Sequence, residues 1–307
     1  MKVAMIGGTG FVGSHLVDRL IQDGHTPRLL VRPGSESKVV QAEACELVSG
    51  EVSGPEALGR CLEGSDAVIY LIGILREFPT RGITFEALQY RGVVDTISAA
   101  RQQGVERFLL MSANGIRAGG TPYQRTKFQA EEALKSSGLR WTIFRPSVIF
   151  GDARGRMEFC DQLKRDIIDS PLPAPLFYPG LLPLKAGEFE LAPVSVADVA
   201  AAFALALRDP QTESQTYSLC GPDRLSWKEI LTTIAAACGR SKWMLPAPAM
   251  GVKAVASLLD RYPWFPITRG QIEMLLEGNV CTDNDGFSRL GLTPQRFGTD
   301  ALHYLRG

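Results

Sequence analysis

The passage from Lys2 to Val17 most limits what this chain can fold into. Val3, Ala4, Met5 and Ile6 are consecutive apolar residues and read as a short buried strand. Gly7-Gly8-Thr9-Gly10-Phe11-Val12-Gly13 follows. Ser14 then opens a helix that runs to Asp23, with Leu16, Val17, Leu20 and Ile21 on one face and Gly24 as its stop. Gly7, Gly10 and Gly13 stand three apart. In a strand–turn–helix the first such glycine permits the tight turn, the second lets a pyrophosphate approach the backbone, and the third lets helix and strand pack closely. The N–H groups left over at a helix start favour an anion. Strand before and helix after select a dinucleotide cradle over an ordinary Gly-rich turn. Gly10 is the expected close-approach position, where a Cβ would intrude and any positive φ would become costly.

The same alternation continues. Strands are expected at Arg28–Val31, Cys45–Val48, Ala67–Ile72, Arg107–Met111 and Trp141–Phe144. Helices are expected at Pro55–Leu62, Phe85–Gln103 (capped by Gly104) and Thr126–Ser137. Six strands alternating with helices predict an α/β fold, a doubly wound parallel sheet of Rossmann type with right-handed crossovers. The texture changes after Gly151. Pro171 to Pro183 holds five prolines and reads as an irregular excursion, and residues 241–266 are rich in Trp, Pro, Met and Leu. Regular structure returns at Val196–Leu207, Thr216–Leu219 and Leu225–Cys238. The expected division is a dinucleotide-binding core over 1–151, rejoined by 194–220, with a smaller substrate or lid lobe from 152–193 and 221–307.

A chain of 307 residues with 45% hydrophobic and 21% charged residues can bury a large core. Its 33 basic and 33 acidic residues cancel, which gives no overall electrostatic case for nucleic acid or an anionic membrane. The six cysteines are scattered without a CxxC pair, and only three histidines accompany them. No metal site is expected, and all six read as reduced thiols of a cytoplasmic protein. A strand beginning at Lys2 leaves no room for a targeting peptide, and no apolar run reaches the roughly 20 residues of a membrane span.

Chemistry gathers after the fifth strand. Ser112 stands at its end, and Tyr123 and Lys127 follow four apart, on one face of the next helix. In an open parallel sheet, ligands bind outside the carboxyl ends of the strands. The structural alternative has Tyr123 capping or packing the helix while Lys127 pairs with Glu131 one turn on. After the second strand, where an NAD-specific fold usually carries an acidic residue, Arg32 stands near Ser35 and Lys38. A guanidinium there suits a 2′-phosphate, so NADP(H) is preferred and NAD(H) remains possible; the alternative is a solvated surface arginine. Glu51 is either an adenine contact or a solvated loop carboxylate.

GGTGFVG, Ser112 with Tyr123-x-x-x-Lys127, and Arg145-Pro146-Ser147-Val148-Ile149-Phe150-Gly151 together resemble the short-chain dehydrogenase/reductase superfamily, in its extended or atypical, epimerase/dehydratase-like branch. Thr126-Lys127, Ala130-Glu131, Ser137-Gly138-Leu139 and Trp141 to Ser147 look most similar to the group of the nucleotide-binding accessory subunit of respiratory complex I. The resemblance is dense over residues 1–151 and thin through Val194–Ala200 and Tyr217–Pro222. It implies Tyr123 as general acid/base, Lys127 as the cation that lowers the phenol pKa and holds the nicotinamide ribose, and Ser112 as the group orienting the substrate oxygen. The cofactor face is then Gly7, Thr9, Gly10, Phe11, Val12, Gly13, Arg32, Glu51, Val52, Leu71, Gly73, Tyr123, Lys127, Pro146 and Val148. Many relatives carry an Asn in the helix before the fifth strand, where Gln89 or its neighbour stands here.

These features lead to an expectation of an NADP(H)-binding oxidoreductase moving hydride to or from a carbonyl or carbinol carbon. The alternatives are a non-catalytic NADP(H)-binding accessory, assembly or redox-sensing protein, and a nucleotide-sugar-type epimerase or dehydratase. The expected partner is a small-molecule substrate. Residues 241–266 read equally as an apolar lid over it or as core of the second lobe, and more weakly as a peripheral contact with membrane or protein complex. The sequence leaves the oligomeric state open.

Overall fold

A computed structural model describes residues 1–180, 182–260, 267–283 and 285–306, without the side chains of 254, 255 and 257–259. The chain divides into two compact units: Met1–Pro146 with Val196–Leu219 and Asp285–Thr293, and Ser147–Ser195 with Cys220–Asn284 and Pro294–Gly307.

The first unit is built on a sheet of seven parallel strands. In chain order these are β1 (Lys2–Ile6), β2 (Thr26–Val31), β3 (Glu46–Ser49), β4 (Ala67–Tyr70), β5 (Arg107–Met111), β6 (Arg140–Pro146) and the strand Gln215–Leu219. In space the order is Gln215–Leu219, β6, β5, β4, β1, β2, β3, with every pair parallel. The strand order reverses between β1 and β4, which makes that gap the switch point where such sheets bind ligands. Helices α1 (Phe11–Gln22), α2 (Pro55–Leu62), α3 (Gly92–Gln102) and α4 (Pro122–Lys135) connect the strands. All four residues of β4 are buried, as covering on both faces requires. The helix Val196–Arg208 packs against α1.

Helix α3 is shorter than the expected Phe85–Gln103 because Glu86–Arg91 forms a π-helical turn. The Gly92 N–H reaches the Ala87 carbonyl five residues back. That frees the Leu88 carbonyl, which accepts the hydroxyl of buried Tyr70. A phenol inserted into the helical ladder accounts for the bulge.

Arg107, at the start of β5, is buried, and among the described residues it has no carboxylate hydrogen-bond partner. Its guanidinium donates to the Arg140 and Ala206 carbonyls at 2.9 and 2.7 Å and to the Thr142 and Thr212 hydroxyls at 2.7 and 2.9 Å. It ties β5 and β6 to the end of the helix Val196–Arg208.

The second unit has its own core, in which Trp227, Ile230, Leu231 and Ile234 of the helix Trp227–Ala237 meet Phe150, Leu176 and Phe177. The proline-rich stretch is not wholly irregular: Ala174–Tyr178 pairs in parallel with Met244–Pro248. A two-stranded ribbon leaves each strand a free edge, where prolines lacking an N–H are tolerated. The reading of six reduced thiols is also corrected. Cys220 and Cys281, both buried, form a disulfide with Cα atoms 5.9 Å apart, while Cys45, Cys61, Cys160 and Cys238 are free. Of residues 241–266, Met244, Ala247 and Val252 pack on this core and Trp243, Leu245 and Met250 are exposed; Trp264 and Phe265 lie outside the described residues. Among the described residues no helix is long and apolar enough to cross a membrane.

Candidate functional site at the carboxyl end of the sheet

The turn after β1 is set by two glycines with different duties. Gly7 takes φ +98°, where L side chains are strained. Gly13 lies in the first turn of α1, and a Cβ there would stand 2.4 Å from the Gly7 carbonyl oxygen and 2.7 Å from the Gly8 Cα. The helix therefore approaches the turn as closely as backbone allows. Gly10 caps α1 with φ −77° and ψ 179°, an extended conformation open to any residue. The positive φ of this turn is at Gly7, the glycine expected to permit the tight turn. A Cβ on Gly10 would meet only the Gly7 oxygen, at 3.3 Å, so its other side is open.

Helix α1 begins at Phe11 rather than Ser14, which puts Phe11, Val12 and Gly13 in the first turn. Its first helical bond runs from the Ser14 N–H to the Gly10 carbonyl. The N–H groups before it have no intrahelical acceptor, no side chain caps them, and the first turn holds no acidic residue. These features fit a dinucleotide pyrophosphate: a glycine open to close approach and unclaimed donors at a positive helix end.

Around this cradle stand the carboxyl ends of the neighbouring strands. Leu71, just past β4, is buried and donates its N–H to the Ile6 carbonyl at 2.8 Å. Gly73 is exposed beyond it. Thr9 lies in the β1 turn; Arg32 is exposed immediately after β2, and Glu51 is exposed and Val52 buried after β3. Pro146 ends β6, and its carbonyl accepts the Asn114 N–H at 2.9 Å. Val148 belongs to the second unit, where its carbonyl accepts the Val194 N–H.

The three expected catalytic residues share this sheet end. Ser112 follows the last residue of β5 and donates its N–H to the Phe144 carbonyl at 2.7 Å. Its hydroxyl is buried and, among the described residues, has no hydrogen-bond partner. Lys127, 2% exposed, donates to the Met111 carbonyl at 2.9 Å and the Ile72 carbonyl at 3.3 Å, bridging the ends of β5 and β4. A Cβ on Gly73 would lie 3.6 Å from its Nζ, so the ammonium borders the open glycine. Tyr123 stands one turn earlier, its ring edge-on to Phe85 with centroids 5.8 Å apart. The Lys127–Glu131 alternative gives way to a different pairing: Glu131, fully buried, accepts a fork of hydrogen bonds from Arg145 at 2.8 and 2.6 Å.

Burial sets the protonation of the pair. The Lys127 ammonium is pulled down to about 8 by desolvation, against the opposing charge of Glu131. The Tyr123 phenol is pushed up to about 12 by burial. Lys127 is thus poised to titrate near neutral pH, while the phenol keeps its proton as an acid should.

One support escaped the sequence reading, and a second, Gln89, was seen there only as the residue standing where relatives carry an Asn. Thr121 and Gln124 form a capping box that starts α4 at Pro122, four residues before the expected Thr126. Gln124 also donates to the Gly115 carbonyl at 3.0 Å, fixing the loop from Ser112 to the helix. The signal Thr121-Pro122-Tyr123-Gln124 was present in the chain. Buried Gln89, on the π-helical turn, donates to the Ile74 carbonyl at 2.8 Å and accepts the Thr126 hydroxyl at 3.1 Å. Lys127 and Gln89 therefore hold the carbonyls on either side of Gly73.

A family model described as NAD(P)H-binding matches residues 7–166. Ceramide reductase of Caulobacter vibrioides is 28% identical over 261 residues, 85% of this chain and 78% of that protein. The mitochondrial NADH-ubiquinone oxidoreductase 40 kDa subunit of Neurospora crassa is 26% identical over 98% of this chain and 78% of its own. Among solved structures, the UDP-glucose 4-epimerase of Thermus thermophilus in complex with NAD superposes with a TM-score of 0.72 at 21% identity, covering 100% of this chain and 99% of that one.

Proposed function

The chain belongs to the NAD(P)H-binding family with the extended, epimerase-like short-chain dehydrogenase/reductase fold, and on that premise we propose that it is an oxidoreductase acting between a nicotinamide cofactor and a carbonyl or carbinol carbon. The observation that carries this reading is the Ser112 hydroxyl, buried and, among the described residues, unpartnered just past the end of β5, one residue from the carbonyl that Lys127 holds. A buried hydroxyl costs free energy unless something accepts or donates to it, and a substrate oxygen would do so.

The bound nicotinamide would supply or accept the hydride. Ser112 would hold the substrate oxygen. Tyr123 would donate its phenolic proton to that oxygen in reduction and take it back in oxidation. Lys127 would offer the donor it does not spend on Met111 and Ile72 to the nicotinamide ribose, and its charge would favour the phenolate as the proton leaves. The exposed Arg32 guanidinium after β2 supports NADP(H) over NAD(H), because it meets a 2′-phosphate where an acidic residue would repel one.

A second reading rests on the likeness to the Neurospora subunit across nearly the whole chain: a nucleotide-holding protein without turnover. NADPH oxidation against aldehydes, ketones, quinones, nucleotide sugars and keto analogues of ceramide separates the two. A substrate whose turnover falls about 10²–10⁴-fold in Tyr123→Phe, with NADPH affinity kept, supports the enzyme. A rate unchanged in that variant removes Tyr123 from the mechanism. Tight NADPH binding without turnover across the panel favours the second reading.

A further inference from the structure

The balanced charge of the whole chain hides a local asymmetry. Ten large apolar side chains are exposed among the described residues, and six of them (Leu172, Leu182, Leu184, Trp243, Leu245 and Met250) belong to one small feature of the second unit. That feature is the parallel ribbon of Ala174–Tyr178 and Met244–Pro248, with the segments entering and leaving it. The Ala174 N–H donates to the Trp243 carbonyl at 2.7 Å, which sets Trp243 and Leu172 at the start of the ribbon. Trp243 and Leu245 point away from the core while Met244 between them packs into it. Leu182 and Leu184 lie on the loop after Tyr178, and Met250 in the first turn of the helix after Pro248, so both ends of the ribbon are apolar. Trp243 is 82% exposed and Leu184 71%.

The charge of the same segments is one-sided. Residues 171–187 and 240–259 contain Lys185, Arg240, Lys242 and Lys253 and not one Asp or Glu, in a chain where basic and acidic residues are equal at 33 each. Arg240 reaches Asp169 at 2.6 Å and Lys253 stands 3.9 Å from Glu273, both carboxylates lying outside these segments. Lys242 donates to the Ser170 and Ile168 carbonyls, which keeps its ammonium at the base of the ribbon. Lys185 is exposed beside Leu184.

We propose that this ribbon is a docking surface for an anionic lipid bilayer, with Trp243, Leu245 and the leucines entering the headgroup boundary and the exposed Lys185 beside them meeting lipid phosphates. A tryptophan at the head of an apolar, acid-free, basic segment has the chemistry of the membrane interface, where an indole rests at the headgroups and lysines reach the anionic surface. A protein interface is depleted of Lys along with Asp and Glu, whereas these segments keep three lysines and lack only the carboxylates. The proposal is independent of whether the cofactor site turns over.

The test is flotation of the full chain with vesicles of phosphatidylcholine, with and without phosphatidylglycerol, over a range of salt. Binding is expected only with phosphatidylglycerol present, weakening as salt rises. Trp243→Ala combined with Leu245→Ser should cut it at least tenfold, and Lys185→Gln about fivefold at low salt. Far-UV circular dichroism and NADPH affinity should match the parent in all variants. No binding to the anionic vesicles, equal binding to neutral ones, or binding unaltered in Trp243→Ala/Leu245→Ser would each overturn the proposal. Light scattering covers the remaining outcome: self-association abolished by that double variant, with no lipid binding, would assign the surface to a second copy of the chain and reject the bilayer.

Discussion

Gly10 and Gly13 look alike in the sequence and should fail in opposite ways. An alanine Cβ at Gly13 would lie 2.4 Å from the Gly7 oxygen and 2.7 Å from the Gly8 Cα and oxygen, all backbone atoms. Nonbonded carbon contacts settle near about 3.5–4.0 Å, so the start of α1 would have to withdraw by about 1 Å. Overpacking of this kind costs about 1–3 kcal/mol, and the better helix propensity of alanine returns about 1. A net loss of about 1 kcal/mol should lower the melting temperature of the nucleotide-free protein by about 2–4 °C. The same withdrawal moves the N–H groups offered to the pyrophosphate. Each charged hydrogen bond lost is worth about 1.5–3 kcal/mol, so NADPH affinity should fall at least tenfold. Gly10→Ala meets only the Gly7 oxygen, at 3.3 Å, in an unstrained conformation. Its melting temperature should stay within about 1 °C of the parent, while its affinity also falls at least tenfold, because the methyl occupies the side left open to the phosphates. Thermal melts without nucleotide and calorimetric titration with NADPH read both quantities. Gly13→Ala melting with the parent would refute the packing argument. Gly10→Ala binding NADPH as tightly as the parent would refute the cradle.

Arg32→Ala should weaken NADPH binding about ten- to a hundredfold and leave NADH binding unchanged, and equal losses for both would remove Arg32 from cofactor choice. Lys127 falls from 10.5 to about 8 on folding, so between those values the unfolded chain holds the extra proton. Stability should rise with pH across that window, by about 3 kcal/mol at most, and be lost as pH falls through about 8. Urea midpoints from pH 7 to 10.5 should show this slope in the parent and lose it in Lys127→Met; parallel slopes would count against the buried ammonium. The Cys220–Cys281 bridge, with a sequence separation of 61, should contribute up to about 4 kcal/mol by restricting the unfolded chain. Protein purified without reductant should show four thiols on denaturation, not six, and should melt lower after dithiothreitol; six thiols would contradict the bridge.

The strand–turn–helix and the alternation after it were legible because burial on both faces writes apolar runs and glycine punctuation into the chain. The placing of Ser112, Tyr123 and Lys127 after β5, at the carboxyl end of the sheet, was legible from the strand–helix alternation. What escaped depended on partners distant in sequence. The Tyr70 hydroxyl that opens the π-helical turn comes from β4, and nothing local to Glu86–Arg91 announces it. Cys220 and Cys281 are each solitary in sequence, so the pair exists only in three dimensions. Glu131 looked like a partner for Lys127 one turn away, but the planar fork of Arg145 on β6 claims it. The strand in the proline-rich stretch was hidden because proline usually argues against strands, and a ribbon with free edges relaxes that rule. The capping box at Thr121 is the one omission that local reading could have supplied.

The buried guanidinium of Arg107 bears on how the chain is made. Two of its acceptors, Arg140 and Thr142, belong to the contiguous stretch that supplies the first six strands, whereas Ala206 and Thr212 follow only after the excursion into the second unit. A nascent chain that has emerged only to Pro146 can assemble six strands, but β6 is then an open edge, with half of Arg107's acceptors still unmade. Strand Gln215–Leu219 closes that edge and the helix before it completes the charge's hydrogen bonds, in one late docking step. The sheet therefore has an interval during synthesis in which the open edge of β6 adjoins a guanidinium still half held by water, and that interval is where a slowed ribosome or a truncated product would leave a strand edge available for aggregation.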